Sequence, residues 1–418
     1  MRRQAPRSSQ NWIFDNFLKI SDNEDVLHPG MMGVRLERGF KYSDMHRVFH
    51  RVSGRRSFPR EWARAAKAQE EAAEAALALG RRVTASQHFH RAALYHGRAQ
   101  HLIPVDGHPK KIESHAAVIR CYDKLIELLD GAVTRHVIPF ENGKNVFCLF
   151  HRAPGDGPKP TILYNPGMDA MKEDFPNPFN NEFVRRGMNI CVMDGPGQGE
   201  ANINQTWLTL GNYARAGAKV LDFLTARDDV DAEKIGIFGT SMGTRYGVEI
   251  AAADPRVKAV VGQMSCVGPM DVIFNQAQPN FKRIHMYMTN TYDEAAFDAL
   301  ADAMDENFVK AGEAMRCPYL LVAGDMDELC PAEDALEWME RLSCPKELWL
   351  YEDVFHPMGE VVAEIYPAIA DWLFVALTEG VAKGHDHRLV LQAGQSPLAF
   401  SQSSGAQQEQ THLKVAQG

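Results

Sequence analysis

The sequence lacks long apolar runs and an excess of positive charge. No stretch approaches the roughly 20 apolar residues of a spanning helix. The basic residues 1–7 are not followed by the apolar run of about 7–15 residues that marks a secretory signal. Lys and Arg number 45 against 54 Asp and Glu, giving a formal net charge of −9. This charge argues against nucleic acid or an anionic membrane as a partner.

Cysteine is scarce and irregularly spaced. The 418 residues include seven cysteines, an odd number without C-x-x-C spacing. This pattern favours free thiols in a reducing cytosol over a disulfide framework or a zinc site. The glycine-rich run 194–200 departs from G-x-G-x-x-G spacing, and Pro196 removes a backbone donor from it. We therefore predict a cytoplasmic protein that uses neither a metal ion nor an organic cofactor.

The first third of the chain has helical character. Residues 60–81, 84–102 and 110–129 are predicted helices, the third with apolar residues at three- and four-residue steps. Residues 1–60 show no clean periodicity, but they contain aromatic residues that are expected to pack against another part of the molecule. Residues 1–131 are therefore interpreted as an N-terminal segment and a helical cap region.

After Gly131, short apolar runs alternate with helical patterns. The predicted strands are residues 136–140, 145–153, 161–165, 189–193, 234–238, 259–264, 319–323 and 347–351. This alternation predicts an α/β fold with a mostly parallel sheet covered by helices on both faces. We assign the core to residues 132–266 and 317–383, and a helical lid insertion to residues 267–316. Residues 384–418 are rich in Gln, Ser and Gly, and we expect a disordered tail there.

A possible nucleophile lies between a predicted strand and a predicted helix. Residues 239–243 spell G-x-S-x-G around Ser241. A nucleophile on so tight a turn needs small neighbours at −2 and +2, where Gly239 and Gly243 lie. The helix that follows offers unpaired N–H groups to a developing oxyanion. The pentapeptide alone is weak evidence, because an ordinary strand–turn–helix also uses Gly and Ser.

A base and an acid follow Ser241 in the order of a hydrolase triad. His356 comes directly after the predicted strand 347–351, and it is the only histidine between the preceding acidic loop and the tail. That acidic loop contains both Asp325 and Asp327. A serine nucleophile needs a histidine to take its proton and an acid to orient the histidine. The residues alone leave the choice between the two aspartates open.

An oxyanion hole needs two backbone N–H donors. Met242 follows the nucleophile and provides one. The second is expected from Met168 or Gly167, in the loop after the strand 161–165. The same residues are also compatible with a plain Pro-Gly turn that has no role in catalysis. Asp271 is a possible substrate-contacting acid, or else an acid at a helix N-terminus.

With these residues in view, the chain resembles a branch of the α/β-hydrolase superfamily over about residues 60–380. The branch includes 2,6-dihydroxypseudooxynicotine hydrolase, the fermentation–respiration switch proteins and fungal polyketide-shortening hydrolases. The motifs that carry the resemblance are residues 166–169 with Lys172 and Glu173, the run 194–200, and the helical region ahead of the core.

The resemblance implies an α/β-hydrolase fold with Ser241 as nucleophile, Asp327 as acid and His356 as base. It also implies that the N-terminal helices help to cover the pocket. The chain departs from the branch at Met168 and Thr244, where glycine is usual or frequent. Both departures alter the pocket entrance more than its chemistry.

Members of this branch cleave carbon–carbon bonds in β-diketone-like substrates, and some cleave esters. Our leading hypothesis is therefore hydrolysis of a C–C bond in an aryl or polyketide-type 1,3-diketone through an acyl-enzyme. The alternatives are a carboxylesterase acting on a bulky ester and a non-catalytic binding protein on a hydrolase scaffold. The expected partner is a small-molecule substrate, and a homodimer is left open.

Overall fold

The computed structural model describes residues 11–20, 28–168 and 170–397. Asp169 of the 166–169 motif and residues 398–418 of the predicted tail lie outside these ranges. None of the helices within the described ranges is both long and apolar enough to span a membrane.

One nine-stranded sheet runs through the described residues. Its strands are β1 Val133–Pro139, β2 Asn145–His151, β3 Lys159–Asn165, β4 Asn189–Asp194, β5 Val230–Thr240, β6 Val257–Gln263, β7 Tyr319–Gly324, β8 Lys346–Tyr351 and β9 Asp386–Leu391. They lie in the order β1-β2-β4-β3-β5-β6-β7-β8-β9. β2 pairs antiparallel with β1 and β4, and the other pairs are parallel. The mostly parallel sheet predicted from the alternating pattern is confirmed.

The helices fall into three groups along the chain. Those before the sheet are α1 Asn11–Ile20, α2 Met31–Arg38, α3 Tyr42–Phe49, α4 Ser57–Ala78, α5 Arg82–His101 and α6 Pro109–Leu128. Those between strands are α7 Glu182–Arg185, α8 Gly199–Ile203, α9 Asn212–Thr225, α10 Met242–Ala253, α13 Ala332–Arg341 and α14 Val362–Thr378. The insertion between β6 and β7 holds a π-helix at Val272–Gln276, α11 Pro279–Thr289 and α12 Glu294–Ala314.

Helices cover both faces of the sheet, because its central strands are apolar on both sides. α14 contributes Ile369 and Leu373 to the core on one face. α9 and α10 contribute Val220 and Ile250 to the core on the other. The carboxyl ends of the parallel strands remain uncovered by these layers, and this is where open α/β sheets place their ligands.

The N-terminal helices have a core of their own and also dock on the sheet domain. Trp62 of α4 is fully buried, and its ring packs against Phe40 and Tyr95. A Cβ added to Gly33 of α2 would lie 2.1 Å from the carbonyl oxygen of Gly359. α2 therefore contacts the backbone that follows His356 directly, so this segment does pack against another part of the molecule, as predicted.

Two boundaries differ from those expected. Asp386–Leu391 was predicted to begin a disordered tail, but it forms β9 and pairs with β8 in register. An edge strand needs few apolar residues, and Leu391 is the buried one here. Of the insertion, α11 lies over the strand ends, where Phe281 and Ile284 line a cavity. α12 packs beside α10, where Phe308 lies under the guanidinium of Arg245, so it belongs to the helical layer of the core.

Candidate active site

Ser241 lies at the junction of β5 and α10 in a strained backbone conformation, with φ 54° and ψ −126°. A Cβ on Gly239 would lie 2.3 Å from the carbonyl oxygen of Gly243, and one on Gly243 would lie 2.0 Å from that of Asn165. Any larger residue at either position would therefore move the turn. The spacing of the glycines follows from this crowding, as the sequence pattern suggested.

His356 connects Ser241 to a buried carboxylate. Its Nε2 lies 2.9 Å from the Ser241 Oγ. Its Nδ1 lies 2.9 and 3.0 Å from the two carboxylate oxygens of Asp327. An Nδ1–H that donates to Asp327 leaves Nε2 free to accept the serine proton. The chain of hydrogen bonds thus has the direction that a general base requires.

Backbone hydrogen bonds hold Asp327 in place. Its Oδ1 accepts from the N–H groups of Leu329 and Cys330 at 2.8 and 2.9 Å. Asp325 is exposed, and its own N–H donates to the Tyr351 carbonyl. Of the two aspartates that the sequence left open, the structure brings Asp327 to the histidine.

The buried position of His356 would by itself disfavour its protonated form. The negative charge of Asp327 outweighs this effect, and together with the neighbouring Cys266 thiol it raises the pKa of His356 well above the ordinary 6.5. The same carboxylate therefore stabilises the imidazolium that forms when Ser241 gives up its proton.

The residues predicted for an oxyanion hole lie next to Ser241. Met242 is the first residue of α10, so its N–H has no acceptor within the helix. A Cβ on Gly167 would lie 3.2 Å from the Ser241 Cβ, which shows how closely the loop after β3 approaches. Met168 is buried and lines the same cavity.

A residue of the run 194–200 holds this loop. The Gln198 side-chain amide donates to the carbonyl oxygens of Pro166 and Gly167, both at 2.9 Å. Its own Oε1 accepts from the Tyr213 hydroxyl at 2.6 Å. Because Gln198 binds both carbonyl oxygens, it fixes the loop after β3 beside Ser241. Sequence reasoning singled out the run 194–200 but not the role of the glutamine.

The matches to known proteins fit this geometry. The family model described as "Esterase FrsA-like" matches residues 44–310. The chain belongs to the FrsA-like esterase family. It is 28% identical over 375 residues to 2,6-dihydropseudooxynicotine hydrolase of Paenarthrobacter nicotinovorans, covering 87% of this chain and 95% of that protein. It is 30% identical over 266 residues to 20-hydroxy-prefusarin hydrolase FUS2 of Gibberella moniliformis, covering 59% and 61%.

Solved structures agree on the fold. The crystal structure of 2,6-dihydroxy-pseudo-oxynicotine hydrolase superposes with a TM-score of 0.74 at 24% identity, covering 85% of this chain and 99% of that one. The structure of AbyA5 superposes with a TM-score of 0.63 at 18% identity, covering 85% and 93%. These structures show an α/β-hydrolase fold. The family match and the named hydrolase relatives make the protein an enzyme of the hydrolase class, and the non-catalytic scaffold is set aside.

A cavity of about 1110 Å³, including its opening to solvent, leads to Ser241 and His356 in this hydrolase. Its wall combines the loop after β3 with α2, α5 and α11. Phe281 and Ile284 of α11 face it from one side, and Arg35 of α2 and Arg98 of α5 from another. The N-terminal helices thus form part of the pocket cover, as the resemblance implied.

Asp271 is placed elsewhere. It is exposed, and its carboxylate accepts from the side-chain amides of Asn275 and Gln276 at 2.7 and 3.1 Å. The residue lies at the start of the π-helix and outside the cavity wall, so the structure does not bring Asp271 to Ser241. The alternative, an acid at a helix N-terminus, describes its position.

His28 and Glu328 were missed by sequence reasoning. The His28 Nδ1 donates to Glu328 at 2.7 Å, and its ring stacks on that of His356 with centroids 5.4 Å apart. Glu328 also accepts from the His356 backbone N–H at 3.2 Å. Burial would raise the pKa of Glu328, but the hydrogen bond and charge of His28 lower it to about 2. Local patterns could not reveal a pair 300 positions apart.

A buried cluster of charges supports the loop after β3. The Lys172 Nζ lies 2.7, 3.1 and 2.9 Å from carboxylate oxygens of Glu173, Asp194 and Glu200. The Lys172 backbone N–H also donates to Asp194 at 2.7 Å. The cluster therefore ties the β3 loop to the loop after β4.

One group of side chains could in principle hold a metal ion. Glu70, His96 and Cys121 place ligand atoms within 4.8 Å of one another, between α4, α5 and α6. The Glu70 carboxylate is already engaged by the guanidinium of Arg120 at 2.9 and 3.1 Å. A cation at this point would have to displace Arg120, so the group is described better as an ion pair.

Proposed function

We propose that this hydrolase uses Ser241, His356 and Asp327 as a catalytic triad to cleave a C–C bond in a 1,3-diketone through an acyl-enzyme. The observation that carries the proposal is the continuous chain of hydrogen bonds from Asp327 through His356 to Ser241. Ser241, at one end of this chain of hydrogen bonds, lies in a strained turn beside a large cavity. The roles of these residues follow from that geometry and from general triad chemistry.

In the proposed reaction, the Ser241 Oγ attacks one carbonyl carbon while the His356 Nε2 takes its proton. The oxyanion accepts hydrogen bonds from the N–H of Met242 and from that of Met168 or Gly167. Collapse of this intermediate breaks the C–C bond, and the electron pair leaves as an enolate that its own carbonyl stabilises. His356 returns the proton to the enolate carbon, which gives a ketone.

Water completes the cycle. His356 takes a proton from a water molecule, whose oxygen attacks the acyl-enzyme carbonyl. Collapse of the second oxyanion releases a carboxylic acid and returns the proton to Ser241. The sum is one diketone and one water converted into one ketone and one acid, and it requires no electron transfer.

The preference for a C–C bond rests on the branch that the chain resembles. It is also supported by the 95% coverage of 2,6-dihydropseudooxynicotine hydrolase. The second candidate is carboxylester hydrolysis, which the family description and Esterase FrsA of Citrobacter koseri favour; the latter is 26% identical over 55% of its length. An ester places an alkoxide where the diketone places an enolate, and the triad serves both.

The test incubates the enzyme with an aryl 1,3-diketone and, in parallel, with an aryl ester, and identifies the products by mass spectrometry. Ser241→Ala is the blank. We expect a ketone and an acid from the diketone in the wild type alone. Cleavage of the ester without the diketone would decide for the carboxylesterase. Equal turnover by Ser241→Ala would refute the triad.

We also propose that the substrate is a small molecule held in the cavity and that the enzyme acts in the cytoplasm. The seven cysteines are all free thiols, which supports a reducing compartment. The homodimer stays a prediction.

A further inference from the structure

His28 is a second histidine in the cavity wall, and it lies directly beside His356. The two imidazole rings are inclined by only 27°, with centroids 5.4 Å apart. His28 also meets the ring of Phe281 in α11 edge to face, with centroids 5.6 Å apart. Both histidines line the cavity that leads to Ser241. An imidazole that has no part in the triad therefore borders the reaction site.

Close contacts hold His28 next to the loop of His356. A Cβ on Gly359 would lie 1.5 Å from the carbonyl oxygen of Gly30, so the backbone just after one histidine touches the backbone just after the other. Glu328 joins the two histidines as well, because one of its oxygens accepts from the His28 ring and the other from the His356 backbone N–H. The position of His28 relative to His356 is therefore set by packed backbone and by a shared carboxylate.

Glu328 orients the His28 ring and favours its charged form. The carboxylate lies 2.7 Å from Nδ1, a length typical of a charge-assisted hydrogen bond. With a pKa of about 2, Glu328 is ionised at neutral pH, and a carboxylate at this distance stabilises an imidazolium. Because Nδ1 donates to Glu328, Nε2 is the ring nitrogen left for another molecule. Among the residues that the structure describes, none forms a hydrogen bond with this Nε2.

The leaving fragment of the proposed reaction must lie close to these two rings. His356 returns its proton to the carbon that leaves, so this carbon has to come within reach of the His356 Nε2. In a 1,3-diketone that carbon is bonded directly to the second carbonyl, whose oxygen takes up the charge of the enolate. An Nε2–H of His28 can donate to this oxygen, and a fixed donor at a site of developing charge accelerates the step.

We propose that His28 is a further catalytic residue, whose Nε2–H donates a hydrogen bond to the second carbonyl oxygen of the diketone and stabilises the departing enolate. This inference rests on the proposed function, because it assigns a residue to the leaving half of the same substrate. His28 transfers no proton: its hydrogen bond strengthens as charge moves onto the oxygen and weakens once His356 has protonated the carbon. The alkoxide that leaves an ester has no second carbonyl, so His28 serves C–C cleavage in particular.

The first test compares two substrates that form the same acyl-enzyme. Dibenzoylmethane with two methyl groups on its central carbon is a 1,3-diketone that cannot enolise, and phenyl benzoate is an ester. Attack by Ser241 on either one gives a benzoyl-enzyme. The value of kcat/KM is measured for each substrate with the wild type and with His28→Phe, which keeps a flat ring beside His356 but has no N–H donor. Because both reactions use His356, the ester is the internal control.

We expect His28→Phe to lower kcat/KM for the diketone at least about 10-fold more than for the ester, since it removes a charged donor that only the enolate uses. The matched control is His46→Phe, because His46 is an exposed histidine of α3 whose ring also contacts other aromatic rings. This change should leave both values as they are. Equal losses on the two substrates in His28→Phe, or no loss on either, would overturn the proposal. Equal losses would mean that His28 only positions His356.

A binding experiment tests the same contact without turnover. Ser241→Ala is titrated in a calorimeter with the diketone and with its analogue in which CH2 replaces one carbonyl. The diketone should bind at least about 5-fold more tightly, and adding His28→Phe should bring this ratio to one. His28→Leu, which also lacks a donor, takes its place if His28→Phe fails to fold.

A ratio of one in Ser241→Ala overturns the proposal, and so does an absence of diketone binding. Failure of the proposed function gives a different result. If the wild type cleaves the ester alone while the binding ratio is intact and depends on His28, C–C cleavage is refuted and the contact of His28 with the second carbonyl is supported.

Discussion

The sheet domain and the N-terminal helices contribute to the site in different ways. In the sheet domain, Ser241, Asp327 and His356 each follow a strand end closely, and their positions are set by nearby backbone. In the helices, Arg35 and Arg98 reach the cavity only because α2 and α5 dock on that domain. The reacting groups are thus encoded locally, whereas the cavity wall depends on contacts between distant parts of the chain.

The largest expected effect lies in the sheet domain. Asp327→Asn should lower kcat by about 10⁴-fold, because the amide favours the wrong histidine tautomer. The measurement is steady-state kinetics with the aryl ester or diketone that proves to be cleaved. Asp325→Asn is the matched control in the same loop and should stay near the wild type. A large loss in Asp325→Asn together with near-normal Asp327→Asn would move the acid to Asp325.

The next largest effect is a loss of stability from a change in the loop after β3, which the sheet domain and the N-terminal helices both contact. Lys172→Met should lower the free energy of unfolding by about 3–5 kcal/mol, because it leaves buried carboxylates without their shared cation. Urea denaturation measures this change. Lys310→Met removes a lysine that is 75% exposed and should change stability by less than about 0.5 kcal/mol. Equal stability of the two variants would contradict the structural role of the buried cluster.

A smaller effect is expected where the helical region meets the catalytic loop. Glu328→Gln should lower kcat about 10-fold with little change in KM, because a carboxylate near His356 helps to stabilise its protonated form. It should also lower the pKa seen in the pH–rate profile. Glu352→Gln, an exposed residue after β8, is the control. A change in KM alone would mean that Glu328 contacts substrate instead of positioning the histidine.

The smallest effect is a shift in pH dependence. Asp327 raises the pKa of His356, and the base must be neutral to accept the serine proton, so kcat/KM should rise with pH through an apparent pKa above 6.5. The protonated imidazole contributes stability below pH 6.5, and this contribution is lost as pH rises through the folded-state pKa. If kcat/KM instead rises with an apparent pKa at or below 6.5, Asp327 does not govern the titration of His356.

Much of the sheet domain could be predicted, because its signals are local. Buried parallel strands appear as continuous apolar runs, and the crowding at Gly239 and Gly243 leaves a readable pattern around Ser241. The position of His356 after a strand follows from the same reasoning. The choice of Asp327 over Asp325 required the structure, since both lie in one loop and the sequence does not show that Asp327 is the buried one that meets His356.

The edge strand β9 and the residues around the cavity have weaker local signals in the sequence. β9 was missed because Asp386, His387 and Arg388 are exposed and hide the strand pattern. His28 and Arg98 show nothing in their own neighbourhood that points to the cavity. The position of Asp271 outside the cavity wall could not be predicted, because a position shortly after a strand does not determine which way a loop turns.

The central claim is that Ser241 is the nucleophile activated by His356. The most direct measurement is mass spectrometry with peptide mapping after treatment with a fluorophosphonate, which modifies activated serines. We predict one adduct per chain, located on Ser241 and strongly reduced in His356→Ala. The nearest competing nucleophile is Cys266, whose Sγ lies 3.5 Å from the Ser241 Oγ. An adduct on Cys266, or labelling of Ser241 that persists without His356, would contradict the claim.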